Sequence, residues 1–139
     1  MSLDVFFGTT INLLGKTLDL RAQNHNRISA NLANIETPGY TPTTLSFEQE
    51  LKSALRDKGG GSSNFTSSSG ISLRGEPTAL ELVNGTVLET PSGTPGRDGN
   101  SVELETEMGK MMENQIMYNA SVQLLSRKFE GLKLAIKGG

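Results

Sequence analysis

From Leu104 onward an apolar residue returns after four positions, then three, then four again. The series runs through Leu104, Met108, Met111, Gln115, Tyr118, Val122, Leu125, Phe129, Leu132 and Ile136. A strand would alternate every second residue, so this rhythm is the a/d seam of a long helix packed along another helix. Gln115 is the only plainly polar member. Asn100 reads as the N-cap, and Glu103, three residues on, completes a capping-box pattern. Glu103, Glu105 and Glu107 crowd the start while Arg127, Lys128, Lys133 and Lys137 crowd the end, and both biases complement the helix dipole. Gly138 supplies the stop.

Such a helix needs a partner, and the other end of the chain supplies one. From about Leu3 the same rhythm passes through Phe7, Ile11, Leu14, Leu18, Arg21, His25, Ile28, Leu32 and Ile35. The polar members Arg21 and His25 read as devices that fix pairing at some cost in stability. At 1.5 Å per residue the two helices measure roughly 45 Å and roughly 55 Å, comparable enough to pair. The first one stops at Ile35-Glu36-Thr37-Pro38-Gly39-Tyr40. Pro38 cannot continue a helix and biases Thr37 away from helical dihedrals. Pro38-Gly39 fits the centre of a type II turn, with Gly39 supplying the positive φ.

Between the helices the composition changes. Ser46 with Gln49 reads as a capping box for a shorter helix whose stripe is Phe47, Leu51, Ala54 and Leu55, ending near Lys58. Residues 59–70 are almost entirely glycine, serine, threonine and asparagine, which cannot bury enough surface to offset their ordering entropy, so a flexible linker is expected. Asn84-Gly85 between Leu80–Val83 and Thr86–Glu89 is a hairpin signal. The expected fold is mainly α, with long N- and C-terminal helices and a flexible, partly extended or β-hairpin middle. Its divisions are 1–36 (first helix), 37–58 (turn and short helix), 59–97 (middle) and 98–139 (second helix).

Apolar residues make up 35% of the 139-residue chain and aromatics 5%, with no tryptophan, so a single dense core is not expected. A lone two-helix hairpin around a floppy middle is marginal. Met112, Ile116, Leu124 and Leu134 would stay uncovered in a simple pair, and the expectation is a monomer that orders as neighbouring copies cover it. The formal charge of −2 gives no reason to expect nucleic acid. Cysteine is absent, which removes disulfides, thiolate sites and cysteine nucleophiles. No run of about 18 apolar residues suggests a membrane span, and the N-terminus lacks the pattern of a cleaved secretory leader. His25 is the only histidine and has no metal-binding companion. Asn31 and Asn34 have no nucleophile nearby, and Gly59-Gly60-Gly61 lacks phosphate-loop spacing. No catalytic, cofactor or metal site is expected.

The stretch Ala30-Asn31-Leu32-Ala33-Asn34-Ile35-Glu36-Thr37-Pro38-Gly39-Tyr40 resembles the signature of the rod and hook proteins of the bacterial flagellum. Its family positions are Asn31, Leu32, Ala33, Asn34, Thr37, Pro38, Gly39 and Tyr40. Chain length resembles the proximal-rod members, and Asp98-Gly99-Asn100-Ser101-Val102 resembles the start of the C-terminal helix in the B-type, the C-type being of similar length. The resemblance covers about Leu20 to Phe47 and Asp98 to Leu134. It implies terminal helices paired as an antiparallel coiled coil and export through the flagellar type III channel without a cleaved leader. It also implies assembly in the periplasmic rod of the basal body. The implied partners are copies of itself, the other proximal rod proteins, the junction protein between rod and export gate, the MS ring and the export apparatus. Two other classes compete: a coiled-coil export substrate that does not polymerise, which would not need the 30–40 motif, and a peptidoglycan hydrolase, which would need a cleft and a carboxylate or cysteine site that this chain lacks.

Overall fold

The computed structural model describes residues 3–59, 79–91 and 99–138, with side chains described over 8–56, 79–91 and 103–138. Five elements follow in order: α1 (Leu3–Ala33), β1 (Thr43–Ser46), α2 (Glu48–Gly59), β2 (Thr86–Glu89) and α3 (Gly99–Lys137). The protein is mainly helical, and the two long helices α1 and α3 pack on each other. Asn31 near the end of α1 donates to Glu107 near the start of α3, and Asn114 donates to the Arg21 carbonyl one stage back along α1. Moving backward in one helix thus moves forward in the other, and the pair is antiparallel.

The helix α1 ends at Ala33, two residues before the seam series does. Asn34 N–H is shared between the carbonyls of Ala30 and Asn31, and the Asn34 side-chain amide also donates to Ala30 O. That tightens the last turn and satisfies an otherwise open carbonyl. Thr37 N–H then reaches Asn34 O, and Tyr40 N–H reaches Thr37 O across Pro38-Gly39, with Gly39 at φ 77°. This is the turn expected from the proline and glycine.

The middle contains a two-stranded antiparallel ladder, and its strands lie far apart in sequence. Thr43 faces Glu89, Thr44 faces Leu88, Leu45 faces Val87 and Ser46 faces Thr86. The expected first strand, Leu80–Val83, is instead a turn closed by Val83 N–H to Leu80 O. Leu80 and Val83 are both buried while Glu81 and Leu82 are exposed. Spacing of three is what a turn, not a strand, brings to one side. Gly85 follows at φ 72°, so the Asn84-Gly85 signal marks a real reversal that leads into β2 from a turn.

Alternation does place β1. Leu45 and Phe47 are buried and Ser46 between them is exposed. Ser46 is the last residue of β1 and α2 starts at Glu48, its first bond being Leu51 N–H to Phe47 O. Phe47 therefore occupies the position expected for a capping serine and uses it to bury its ring. The core joins Leu20 of α1 to Leu45, Phe47, Ala54 and Val83, with Leu51 packed against it. Most of the Gly/Ser stretch (60–70) and the loop over 92–96 lie outside the described residues.

Candidate functional site

Asn31 is the centre of the turn motif. It is 1% exposed and all its hydrogen-bonding capacity is engaged. Its Nδ2 donates to Thr43 O and to Glu107 Oε2, both at 2.8 Å. Its Oδ1 accepts from Thr43 N–H at 3.0 Å and from Tyr40 O–H at 3.1 Å. One side chain thus ties the end of α1 to the turn, to β1 and to α3. Asn34 stays local, bonding back to Ala30 O and accepting from the Thr37 hydroxyl at 3.3 Å. Leu32 and Tyr40 are half-buried, while Ala33, Thr37, Pro38 and Gly39 are exposed.

Two turns earlier Asn24 repeats part of this arrangement, its Oδ1 accepting from Leu45 N–H at 3.1 Å. The edge of β1 away from β2 therefore meets side-chain amides of α1 rather than another strand. An unpaired strand edge is a template for wrong pairing, and covering it with polar groups of a helix removes that hazard. Arg21 closes the same region. Its guanidinium lies 5.4 Å from the centre of the Phe47 ring and 3.2 Å from Glu48 Oε1.

The contact of α3 with α1 is polar at its most buried points. Glu107, Asn114 and Ser121, seven residues apart, are 5%, 4% and 8% exposed. Glu107 receives Asn31 through one oxygen and Lys110 through the other. Asn114 donates to Arg21 O at 2.9 Å, and Ser121 bonds back to Met117 O. The apolar series assigns Asn114 and Ser121 no role, although a polar residue every seventh position is itself a seam signal. Glu107 in particular, expected only to complement the helix dipole, is an interhelical acceptor. Neutral or charged hydrogen-bonding pairs at such positions fix helix pairing.

The seam residues divide accordingly. On α1, Ile28 is buried and Ile11, Leu14, Leu18, Leu32 and Ile35 are half-buried, the Phe7 side chain lying outside the described residues. On α3, Met111, Tyr118, Leu125 and Leu132 alternate with the buried polar series and are half-buried, Tyr118 lining the groove between the two helices. Leu104, Met108, Val122, Phe129 and Ile136 turn outward at 40%, 51%, 42%, 52% and 80% exposure. Met112, Ile116 and Leu134 are exposed as well. Asn100 lies in the first turn of α3 with its side chain undescribed, and Glu103 is half-buried. His25 lines a groove of about 220 Å³ with Tyr118 between the two helices. Among the described residues no group of histidines and carboxylates could hold a metal, and no helix is long and apolar enough to cross a membrane.

No family model matches the chain. It is similar over nearly its full length to several curated proteins. Flagellar basal body rod protein FlgB of Cereibacter sphaeroides is 33% identical over 132 residues, covering 95% of this chain and 97% of the relative. FlgB of Salmonella typhimurium is 30% identical over 129 residues, covering 89% and 90%. FlgB of Escherichia coli is 28% identical over 125 residues, with the same coverage.

Proposed function

Because the chain belongs to the flagellar basal body rod protein family FlgB, we propose that it is a structural subunit of the proximal rod, the drive shaft at the base of the bacterial flagellum. Subunits polymerise through their terminal helices, transmit torque from motor to hook and leave a path for exported proteins. The chain reaches its place by the flagellar type III channel. It assembles with copies of itself, the other proximal rod proteins and the junction protein at the export gate, above the MS ring. It does no chemistry of its own.

The observation that carries this reading is the outward face of α3. A helix that spends its polar residues on its own partner and leaves Met112, Ile116, Leu134 and Ile136 65–80% exposed has its apolar surface arranged for other chains. A coiled-coil export substrate that never polymerises gains nothing from that arrangement. The C-helix seam residues Leu104, Met108, Val122, Phe129 and Ile136 are then contacts between subunits, while Met111, Tyr118, Leu125 and Leu132 serve the pair within one subunit. Around the turn motif, Asn31 fixes where the chain leaves α1 for its outer segments. Basal bodies purified from cells carrying a tagged copy should hold the chain in the rod. Recovery only from the culture medium refutes the reading and restores the non-polymerising substrate.

A further inference from the structure

The turn that leads into β2 is built on a reactive pair. An asparagine followed by glycine is open to spontaneous deamidation, because no side chain on the second residue hinders its nitrogen from attacking the asparagine carboxamide. Asn84 is exposed to water, and Gly85 stands at φ 72°. A Cβ at Gly85 would lie 3.1 Å from side-chain atoms of Leu45 and Phe47. The packing of this turn on the core therefore demands the one residue that leaves Asn84 vulnerable.

Both reacting groups are tied. Gly85 N–H donates to Glu50 Oε2 of α2 at 3.0 Å, and Asn84 Nδ2 donates to Leu82 O at 3.1 Å. For reaction the Gly85 nitrogen must give up its proton and bond to Asn84 Cγ, while the Cγ–Nδ2 bond breaks and ammonia leaves with a proton. Water then opens the resulting succinimide at either carbonyl, leaving aspartate or isoaspartate at position 84. An N–H held by Glu50 fixes the peptide plane of Gly85. A carboxamide anchored on Leu82 O is not free to turn its carbon onto that nitrogen. Ring closure has to break both bonds first.

We propose that Asn84 is a site of spontaneous deamidation and that Glu50 sets its rate by holding the Gly85 N–H. The reaction needs no enzyme, and it runs whether or not the chain is a rod subunit. Isoaspartate adds a methylene to the main chain just before Gly85, where the close approach to Leu45 and Phe47 leaves no slack. The lengthened turn displaces β2, whose Thr86 and Val87 face Ser46 and Leu45 in a ladder of only two strands. The bonds between the long helices, Asn31 to Glu107 and Asn114 to Arg21, lie outside the turn. Deamidation thus loosens the middle and spares the helix pair.

The test is to age the full-length protein at neutral pH and follow position 84 by peptide mass spectrometry with electron-transfer fragmentation, which separates isoaspartate from aspartate. A synthetic peptide of residues 80–89 gives the unguarded rate. The folded chain should react about tenfold more slowly than the peptide, and Glu50→Ala about fivefold faster than the parent, as loss of one exposed hydrogen bond to a charged acceptor implies. Glu50→Gln keeps an accepting oxygen and should restore most of the protection. Gly39→Ala strains a different turn and should leave the rate unchanged, which separates a local guard from general destabilisation. A parent as fast as the peptide, or one that gains no isoaspartate at all, overturns the inference. So does Glu50→Ala no faster than the parent, Glu50→Gln as fast as Glu50→Ala, or Gly39→Ala as fast as Glu50→Ala. Chains carrying isoaspartate, once separated, should exchange amide hydrogens faster over Thr86–Glu89 and unchanged over α3; no difference over Thr86–Glu89 overturns the loosening.

Discussion

Replacing Asn31 with alanine removes a side chain that satisfies four groups at once. Thr43 loses partners for both its N–H and its carbonyl on the edge of β1 that α1 covers. Glu107 keeps Lys110 but loses its second donor. Tyr40 is half-buried and its hydroxyl can turn to water, so that bond adds little. A neutral hydrogen bond contributes about 1 kcal/mol net and one to a charged acceptor about 2 kcal/mol, with a further penalty for any group left dry. Three bonds thus amount to about 4 kcal/mol, and partial rehydration of the gap brings the expected loss to about 3 kcal/mol. That is a large share of the stability of an ordinary domain, about 5–15 kcal/mol. Asn31→Asp keeps the shape but turns the donor into an acceptor facing Glu107 Oε2 and Thr43 O, so it should cost more than alanine. Adding Glu107→Gln to Asn31→Asp should recover part of the loss, because the glutamine amide can donate where the asparagine amide did. Urea unfolding followed by far-ultraviolet circular dichroism, at one protein concentration, measures each variant. A loss below about 1 kcal/mol for Asn31→Ala, or an aspartate no worse than the alanine, refutes this account of the hub.

Gly85→Ala should destabilise by about 2 kcal/mol, since φ is 72° and the new Cβ would lie 3.1 Å from Leu45 and Phe47 side-chain atoms. Gly39→Ala, at φ 77° with open space around it, should cost only about 1 kcal/mol in the same urea experiment. Phe47→Ala should cost about 3–5 kcal/mol, because the ring is 4% exposed and belongs to the core; a differential scan that leaves the melting temperature unmoved refutes that placement. Phe129→Asp, at a side chain 52% exposed, should change stability by no more than about 0.5 kcal/mol yet abolish swimming. Leu125→Asp, at a half-buried side chain, should lower both stability and motility, and equal behaviour of the two variants would refute the division of α3 into inner and outer faces.

Local chemistry made the ends of the molecule readable. The four–three rhythm marked both long helices, Pro38 marked the stop, and Gly39 marked the turn that Tyr40 N–H closes on Thr37 O. What could not be read was which face of α3 meets α1. An apolar stripe reports the face that is dry in the final surroundings, and it is silent on whether the same chain or another provides cover. The polar series Glu107, Asn114 and Ser121 had a visible period of seven, but their partners Asn31 and Arg21 lie far away in sequence. The strand pairing failed for a related reason. Asn84-Gly85 is a local turn signal, whereas β2 pairs across α2 with β1, and no short-range rule names a partner some forty residues distant.

The two faces of α3 differ in the kind of force they use, and that difference has a mechanical side. Hydrogen bonds such as Asn31 to Glu107 are directional and fail within a fraction of an ångström, so the helices of one molecule cannot slide. Contacts between methionine and leucine side chains are nearly indifferent to small shears, and methionine adapts its shape as it moves. A shaft assembled on the outer face of α3 would have stiff building blocks with lubricated joints, able to bend as it spins while each block keeps its form.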